Sequence, residues 1–308
     1  MFKKMFASPV LRYGLAAAFV LTLIVSIPAT RALADQLLSL FRVEQVAVVP
    51  IDFTGMQQLT GDGPLGKQMS QLLSSSTTVT QKPGKPQQVA DAAQAGKLSG
   101  FTVRVPQGKT PSRISVLGAS AFTFTVDRAR AQAVLDEGGR TDLQLPASID
   151  GAQISARIPA AVSVDFGSCP DPSDDTAGGF EGGGSRGRRY ADCVILAEIP
   201  SPTVDAPANV DIAQLAQLGL EFTGMSSEQA AAFTSSVDWT STLVIPIPRN
   251  AATYRQISVD GVTGTLIERP VDDAPQFVLI WIKNGIVYSI GGLGSNSQQA
   301  IDMANSLH

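Results

Sequence analysis

The longest hydrophobic stretch of the chain lies near its amino terminus. Residues 13–30 form an uncharged run of 18 residues, and three basic side chains precede it. A run of this length is close to the minimum that crosses a bilayer as a helix. Because the positive charge lies on the amino side, we expect residues 1–12 to be a short cytoplasmic tail and the rest of the chain to be exported.

Two interpretations of this leader remain open. Apolar residues continue at helical spacing from Leu33 to Phe41, which favours an uncleaved signal-anchor helix over residues 13–43 that runs into the exported part. The alternative is a cleaved signal peptide, because small residues precede a site after Ala34. The first interpretation predicts a single-pass membrane protein, and the second predicts a secreted one.

Beyond the leader, residues 44–168 contain several short apolar or alternating segments, such as 101–105, that are typical of β-strands, whereas 54–97 are rich in Gly, Ser, Thr, Gln and Lys. We interpret this part as a β-rich lobe, and we expect two of its strands, 154–158 and 162–166, to pair. The predicted strands are 43–50, 101–105, 114–117, 121–126, 154–158 and 162–166, with helices near 65–73, 89–95 and 128–137.

Residues 194–308 combine strands with longer helical patterns. Asp260-Gly261 and Asn284-Gly285 each separate two apolar strands, which is a strong signal for a two-residue hairpin. The predicted strands are 193–199, 241–247, 254–259, 262–267, 277–282 and 286–290, and the predicted helices are 210–220, 228–233 and a last one capped by Asn296 or Ser297 that places Ala300, Ile301, Met303 and Leu307 on one face.

The order of these elements lacks a regular strand–helix–strand alternation. It therefore predicts an α+β fold, in which antiparallel sheets carry helices on one face after an N-terminal transmembrane helix. We expect the core to include the large aromatic side chains of the second lobe, although a tryptophan could instead stack on a ligand. These side chains are Trp239, Phe277, Trp281 and Tyr288.

The chain has two cysteines, Cys169 and Cys193, and the segment between them is rich in glycine. In an exported protein an even pair of this kind predicts one disulfide, which here would close a loop over residues 169–193. Within that loop Arg186, Arg188 and Arg189 are candidate contacts for a ligand or partner. The alternative is a tolerated surface insertion that the disulfide closes at its base.

Composition and charge exclude several classes of function. Of the 308 residues 44% are hydrophobic and 16% charged, so the chain can bury a core. Its net charge is −4, and the first 34 residues contain four of the 23 basic residues and none of the 27 acidic ones, which leaves −8 for the remainder. An acidic protein is not expected to bind nucleic acid. The single histidine is the terminal His308, so neither histidine-dependent catalysis nor a histidine-ligated zinc site is expected.

One motif resembles a nucleotide-binding loop but lacks an essential residue. Residues 61–67 match most of the P-loop pattern, yet Gln68 occupies the position of the magnesium-binding Ser or Thr. We therefore expect no nucleotide, other cofactor or metal ion. A carboxylate-based hydrolase remains an alternative, because its two acids need not be close in sequence.

Several segments resemble an uncharacterised family of bacterial extracytoplasmic domains. They are residues 31–43, 237–248, 259–266, 279–290 and 300–307. Such domains follow a single membrane helix in predicted transmembrane transcriptional regulators and anti-sigma-factor-like proteins. The pattern is also loosely similar to lipoprotein-carrier and sigma-regulator sensor folds, which bind lipid or peptide against a curved sheet. The short tail over residues 1–12 contains no His or Cys, and this departure from anti-sigma members argues against direct sigma-factor binding.

Together these observations predict a non-enzymatic, single-pass membrane-anchored protein. Its extracytoplasmic domain would sense or bind a partner, such as a membrane or regulatory protein, with the bilayer as the second partner. The first alternative is an exported carrier or chaperone for a lipid or lipoprotein with an apolar cavity. The second alternative is the carboxylate-based hydrolase.

Overall fold

A computed structural model of the chain describes residues 43–52, 63–169, 192–269, 276–293 and 296–308. The predicted tail and nearly all of the predicted anchor helix over residues 13–43 lie outside these ranges. The first-half strands are β1 (Gln45–Ile51), β2 (Thr77–Gln81), β3 (Gln87–Val89), β4 (Arg113–Leu117), β5 (Ser120–Thr125), β6 (Gln153–Ile158) and β7 (Ala161–Phe166). The second-half strands are β8 (Val194–Pro200), β9 (Thr203–Asp205), β10 (Thr242–Pro248), β11 (Thr253–Val259), β12 (Val262–Arg269), β13 (Gln276–Lys283) and β14 (Ile286–Leu293).

Six α-helices accompany these strands within the described ranges, and most begin at a side chain that caps their first turn. For example, Ser226 accepts a hydrogen bond from the backbone N–H of Gln229, and Asn296 does the same for Gln299. Such caps satisfy amide groups that have no partner within the helix. The helices are α1 (Pro64–Ser76), α2 (Ala92–Ser99), α3 (Arg128–Glu137), α4 (Ile212–Phe222), α5 (Ser227–Ser236) and α6 (Ser297–Asn305).

The largest sheet has eight antiparallel strands in the order β11-β12-β13-β14-β8-β7-β4-β3. Strands from before and after the segment 169–193 meet in this sheet, because β7 pairs directly with β8. The two halves of the sequence, 44–168 and 194–308, therefore share one sheet.

Both predicted hairpins are present in the large sheet. Asp260 and Gly261 join β11 to β12 with φ angles of 52° and 78°. Asn284 and Gly285 join β13 to β14 with φ angles of 52° and 74°. Positive φ at both central residues matches the twist of the flanking strands, which is why Asx-Gly pairs are favoured in such turns.

One face of the large sheet carries the principal hydrophobic core. Helix α6 packs on β13 and β14, while α2 packs on β4 at the other end of the same face. The core between them includes Trp281, Leu279 and Ile290, each with no exposed surface. Burying a side chain of this size contributes about 1.5–3 kcal/mol to stability. The α+β class with antiparallel sheets is confirmed.

A second hydrophobic cluster joins a four-stranded antiparallel sheet, β2-β5-β6-β9, to helices α4 and α5. It also contains β1 and β10, which pair with each other in parallel. The prediction of antiparallel sheets did not include this parallel pair. Ile282 of β13 and Val287 of β14 pack against this cluster, whereas their neighbours Trp281 and Tyr288 belong to the principal core, so these two strands contribute side chains to both clusters.

The structure corrects several local predictions. Strands β6 and β7 do not pair with each other, because β6 lies in the four-stranded sheet and β7 in the large one. Residues 101–105 form no strand. Strands β2, β3 and β9 were not predicted, since they are short and, for β9, adjacent to prolines. Among the predicted core aromatics, Phe277, Trp281 and Tyr288 are buried together, whereas Trp239 packs against the second cluster.

Candidate functional site

The predicted cysteine pair is confirmed. The sulfur atoms of Cys169 and Cys193 lie 2.07 Å apart, and the two Cα atoms are separated by 4.8 Å. The candidate contacts Arg186, Arg188 and Arg189 lie outside the described residues, as does part of the glycine motif over residues 61–67.

Among the described residues, a cluster of charged groups lies where the C-terminus meets the large sheet. Its centre is Asp260, whose side chain is 6% exposed. Arg104 donates two hydrogen bonds to its carboxylate, at 2.5 Å and 3.0 Å. Lys283 donates to the same carboxylate at 2.7 Å and to the Asp260 carbonyl at 2.6 Å. One buried acid therefore holds two basic side chains from distant parts of the chain.

The hairpin conformation positions Asp260 for this role. Its backbone N–H donates to the side-chain oxygen of Asn305 in α6 at 2.7 Å, and the indole of Trp281 donates to its carboxylate at 3.3 Å. Burial alone would raise the pKa of the Asp260 carboxyl. Hydrogen bonds from Arg104, Lys283 and Trp281 outweigh that effect, so the pKa lies below its ordinary value and the group is ionised at neutral pH.

Arg104 connects the centre of the site to the end of the chain. Besides Asp260, its guanidinium donates to the carbonyl of Leu307 at 2.8 Å and lies 5.6 Å from the ring centre of Tyr288. The hydrogen bond to Asp260 raises the pKa of the guanidinium further above its ordinary value, although burial opposes this shift. Arg104 thus remains charged and fixes the C-terminus against the hairpin.

Glu198 on β8 lies next to this ion-pair network and has no exposed surface. In the sheet, Glu198 lies directly opposite Tyr288 on β14 and Val162 on β7. Both of its carboxylate oxygens lie 3.1 Å from the backbone nitrogen of Arg104, which donates to them. Burial raises the pKa of the Glu198 carboxyl to about 7, against a smaller lowering by that N–H and by the Arg104 charge.

The stacked rings of Trp281 and Tyr288 lie between Glu198 and the β11–β12 hairpin. Trp281 and Tyr288 have ring centres 5.2 Å apart and planes inclined by 11°. Burial raises the pKa of the Tyr288 hydroxyl, and a hydrogen bond from Arg104 opposes the rise. The two rings form an apolar surface beside Glu198, and this surface explains why the Glu198 carboxyl is poorly solvated.

We call this network the C-terminal ionic cluster. It joins the segment 101–106, the β11–β12 hairpin, β13, β14, β8 and α6. Its members are Arg104, Glu198, Asp260, Trp281, Lys283, Tyr288 and Asn305. Because its charges are largely satisfied by one another, the arrangement is suited to holding these elements together and to exchanging a proton at Glu198.

Sequence reasoning missed most of this cluster. Glu198 interrupts the inward series Val194 and Leu196 on β8, and a carboxyl at an inward position of a strand was the available signal. Arg104 follows Val103 in a segment predicted as a strand. The structure shows why that strand does not form, since the Glu198 carboxylate takes the N–H that a neighbouring strand would otherwise accept.

A second buried ion pair lies near the disulfide on the opposite face of the large sheet. Arg113 on β4 donates to the carboxylate of Asp165 on β7, and Ser163 donates to the same group at 3.1 Å. Arg113 also lines a pocket of about 390 Å³ that reaches Cys169.

Comparisons with other proteins add no assignment. No group of three or more His, Cys, Asp or Glu side chains in the described ranges is placed to hold a metal ion. Within those same ranges, no helix has both the length and the apolar character needed to cross a membrane. No protein-family model matches the chain, and searches of curated proteins and of solved structures also found no match.

Proposed function

We propose that this chain is a non-enzymatic, single-pass membrane-anchored protein whose extracytoplasmic domain binds or senses a partner. The observation that carries the proposal is the way the described fold begins. Val43 is 1% exposed, and the hydroxyl of Ser201 bonds both its N–H at 3.1 Å and its carbonyl at 3.4 Å. The predicted anchor would therefore end directly in the folded core.

The strand that follows supports the same proposal. β1 pairs in parallel with β10 along seven residues and packs on β13 of the large sheet. A membrane helix joined to such a strand would hold the domain close to the bilayer in a defined orientation, because no flexible linker intervenes after Val43. A conformational change in the domain would then be transmitted to the anchor through β1.

The C-terminal ionic cluster supports a binding or sensing function over catalysis. Arg104 and Lys283 each donate hydrogen bonds to the Asp260 carboxylate at 2.5–3.0 Å, and all three side chains are mostly buried. Charged groups used in this way join structural elements instead of facing a substrate. The cluster also contains one acid that can change its protonation near neutral pH, which is a property of a responsive domain.

The carrier alternative needs an apolar cavity between the large sheet and its helices. In the described residues this interface is filled by side chains with almost no exposed surface. They include Leu196, Leu266, Leu279, Trp281, Ile290 and Met303. This packing favours a solid domain over a container for lipid.

Membrane extraction tests the anchor. We expect the full chain to remain in the membrane fraction after alkaline carbonate treatment, with the C-terminal domain accessible to protease from outside the cell. The double variant Leu23→Arg/Val25→Arg, which charges the apolar run, should leave the membrane fraction. The control is Val79→Arg, at a 43% exposed position of β2, which should behave like wild type. A soluble product beginning at Asp35 would contradict the proposal and support secretion.

A photo-crosslinking residue tests the binding part. Tyr254 on β11 is 45% exposed and suits replacement, whereas the fully buried Leu279 serves as the background position. We expect one reproducible protein adduct from position 254 in membranes. Adducts to lipid alone would favour the carrier alternative.

A further inference from the structure

Glu198 is the one described glutamate with no exposed surface, and its hydrogen-bond donor is a backbone group. The nearest guanidinium, that of Arg104, is already bonded to Asp260 and to the carbonyl of Leu307. An ionised carboxylate in this position would be stabilised by one amide and by a charge committed elsewhere. Burying a charge with so little compensation is costly.

The groups that face Glu198 come from every element packed around it. Segment 101–106 contributes Arg104, β14 contributes Tyr288, and β7 contributes the apolar Val162. Beyond Arg104, the carboxylate of Asp260 in the hairpin accepts hydrogen bonds from Arg104 and from Lys283 of β13. At the chain end, the exposed His308 donates its backbone N–H to Val105 at 3.4 Å.

We propose that residues 101–106 and 305–308 form a proton-controlled clasp on the large sheet, closed when Glu198 is protonated and loosened when it releases its proton to solvent. Besides the cluster, the clasp is held by core packing of Val103 and Leu307 and by a small number of backbone contacts. They include the backbone bridge between Pro106 and Leu307 and the bond from Gln107 to the carbonyl of Ser306.

The mechanism follows from the competition for Arg104. An ionised Glu198 needs either water or the Arg104 guanidinium, and both require the segment 101–106 to move away from its present position. If Arg104 moves, the carbonyl of Leu307 loses the hydrogen bond from the guanidinium, and Asp260 loses one of its two basic partners. The pKa of about 7 puts this change within the neutral range. The inference does not depend on the anchor, so it can hold even if the proposed function is wrong.

Fluorescence of Trp281 provides a local probe. The chain contains two tryptophans, and the variant Trp239→Phe leaves Trp281, which is fully buried and stacked on Tyr288, as the single reporter. We measure its emission in the detergent-solubilised full chain between pH 5 and pH 9. We expect one reversible transition with a midpoint within about one unit of 7, and we expect Glu198→Gln to abolish it.

Two control variants identify the titrating group. Glu221→Gln changes a second buried glutamate, which lies in α4 and is bonded by Gln217, and it should leave the transition unchanged. His308→Gln removes the one imidazole of the chain and should also leave the transition unchanged. A transition that persists in Glu198→Gln, or that disappears in His308→Gln, would overturn the proposal.

Hydrogen exchange tests the movement itself. After correction for the intrinsic effect of pH, the amides of Arg104 and His308 should exchange at least about tenfold faster at pH 8 than at pH 6. Equal protection at both values would overturn the clasp. If Glu198→Gln does not fold, carboxyl carbon NMR of the wild-type chain decides the question. One glutamate titrating near 7 supports the proposal, and all of them titrating below about pH 5.5 would refute it.

Discussion

At the scale of single residues, the C-terminal ionic cluster contains two buried carboxyls with opposite pKa shifts. Asp260 is surrounded by three donors, two of them charged, and its pKa is lowered. Glu198 receives a single backbone N–H and its pKa is raised. Burial is common to both residues, so the number and charge of the hydrogen-bond donors determine the direction of the shift.

We predict that Asp260→Asn strongly destabilises the fold. Asparagine accepts the positive φ of the turn, so the change mainly removes the negative charge between Arg104 and Lys283. Two basic groups then face each other in a poorly solvated site, and the expected cost is about 3–5 kcal/mol. Urea unfolding followed by circular dichroism measures this difference.

The control for that experiment is Asp142→Asn. Asp142 pairs with Arg140 at 2.8 Å, but its side chain is 62% exposed. Exposed ion pairs contribute little to stability, so we expect a much smaller shift of the urea midpoint. Equal shifts in the two variants would show that burial of Asp260 is not what makes its ion pairs important.

The stability of the chain should depend on pH through Glu198. The folded-state pKa is about 7 against an ordinary value of 4.5, so between these values the folded chain binds more protons than the unfolded chain. The free energy of unfolding therefore falls as pH rises through this window, by on the order of 3 kcal/mol from this group. Its stabilising contribution is complete below pH 4.5 and is lost above pH 7.

Thermal or urea unfolding at a series of pH values measures this effect as the difference between wild type and Glu198→Gln. The difference is needed because other groups titrate as well, and Asp260 acts in the opposite direction at lower pH. We expect the two curves to converge at low pH and the variant to be the more stable above pH 7. A constant difference across the range would contradict the assignment.

At the scale of elements, close packing between strands imposes the strictest demands. Gly264 on β12 lies opposite Trp281 on β13, and a Cβ atom at position 264 would lie 2.5 Å from a methyl carbon of Val259 and 3.2 Å from the Cβ of Trp281. The missing side chain makes room for the stacked indole on this face of the sheet.

We therefore predict that Gly264→Ala destabilises the chain by about 1–3 kcal/mol through overpacking. The matched variant is Gly219→Ala in α4, where a Cβ meets no atom within 4 Å and the residue is exposed. That change should stabilise the chain by about 0.5–1 kcal/mol, because alanine favours the helix. Melting temperatures that shift in the same direction for both variants would contradict this account.

At the scale of the whole molecule, contacts between distant segments hold the fold together. The C-terminus closes on segment 101–106, β1 joins the start of the described chain to β10, and β7 meets β8 across the disulfide. Each contact links parts that are far apart in sequence. Breaking one of these three contacts should therefore lower the stability of parts of the fold that are distant from it.

The disulfide offers a direct test at this scale. Replacing both Cys169 and Cys193 by serine removes a cross-link between residues 24 positions apart. In the chain-entropy description this costs about 3 kcal/mol, because the unfolded chain gains freedom. We expect a lower urea midpoint with an unchanged far-ultraviolet spectrum, and wild type treated with reductant should match the variant. A midpoint that does not change would indicate that the loop is held by other contacts.

Local features of this protein could be predicted from its sequence. The helix caps at Ser226 and Asn296, the two hairpin turns and the cysteine pair are visible because each depends on neighbouring residues or on one residue type. Tertiary structure alone decided that β6 and β7 separate into different sheets and that β1 pairs in parallel with β10. It also brought Arg104, Glu198 and Asp260 together, since their spacing of up to 156 residues leaves no local signal and only burial reveals their chemistry.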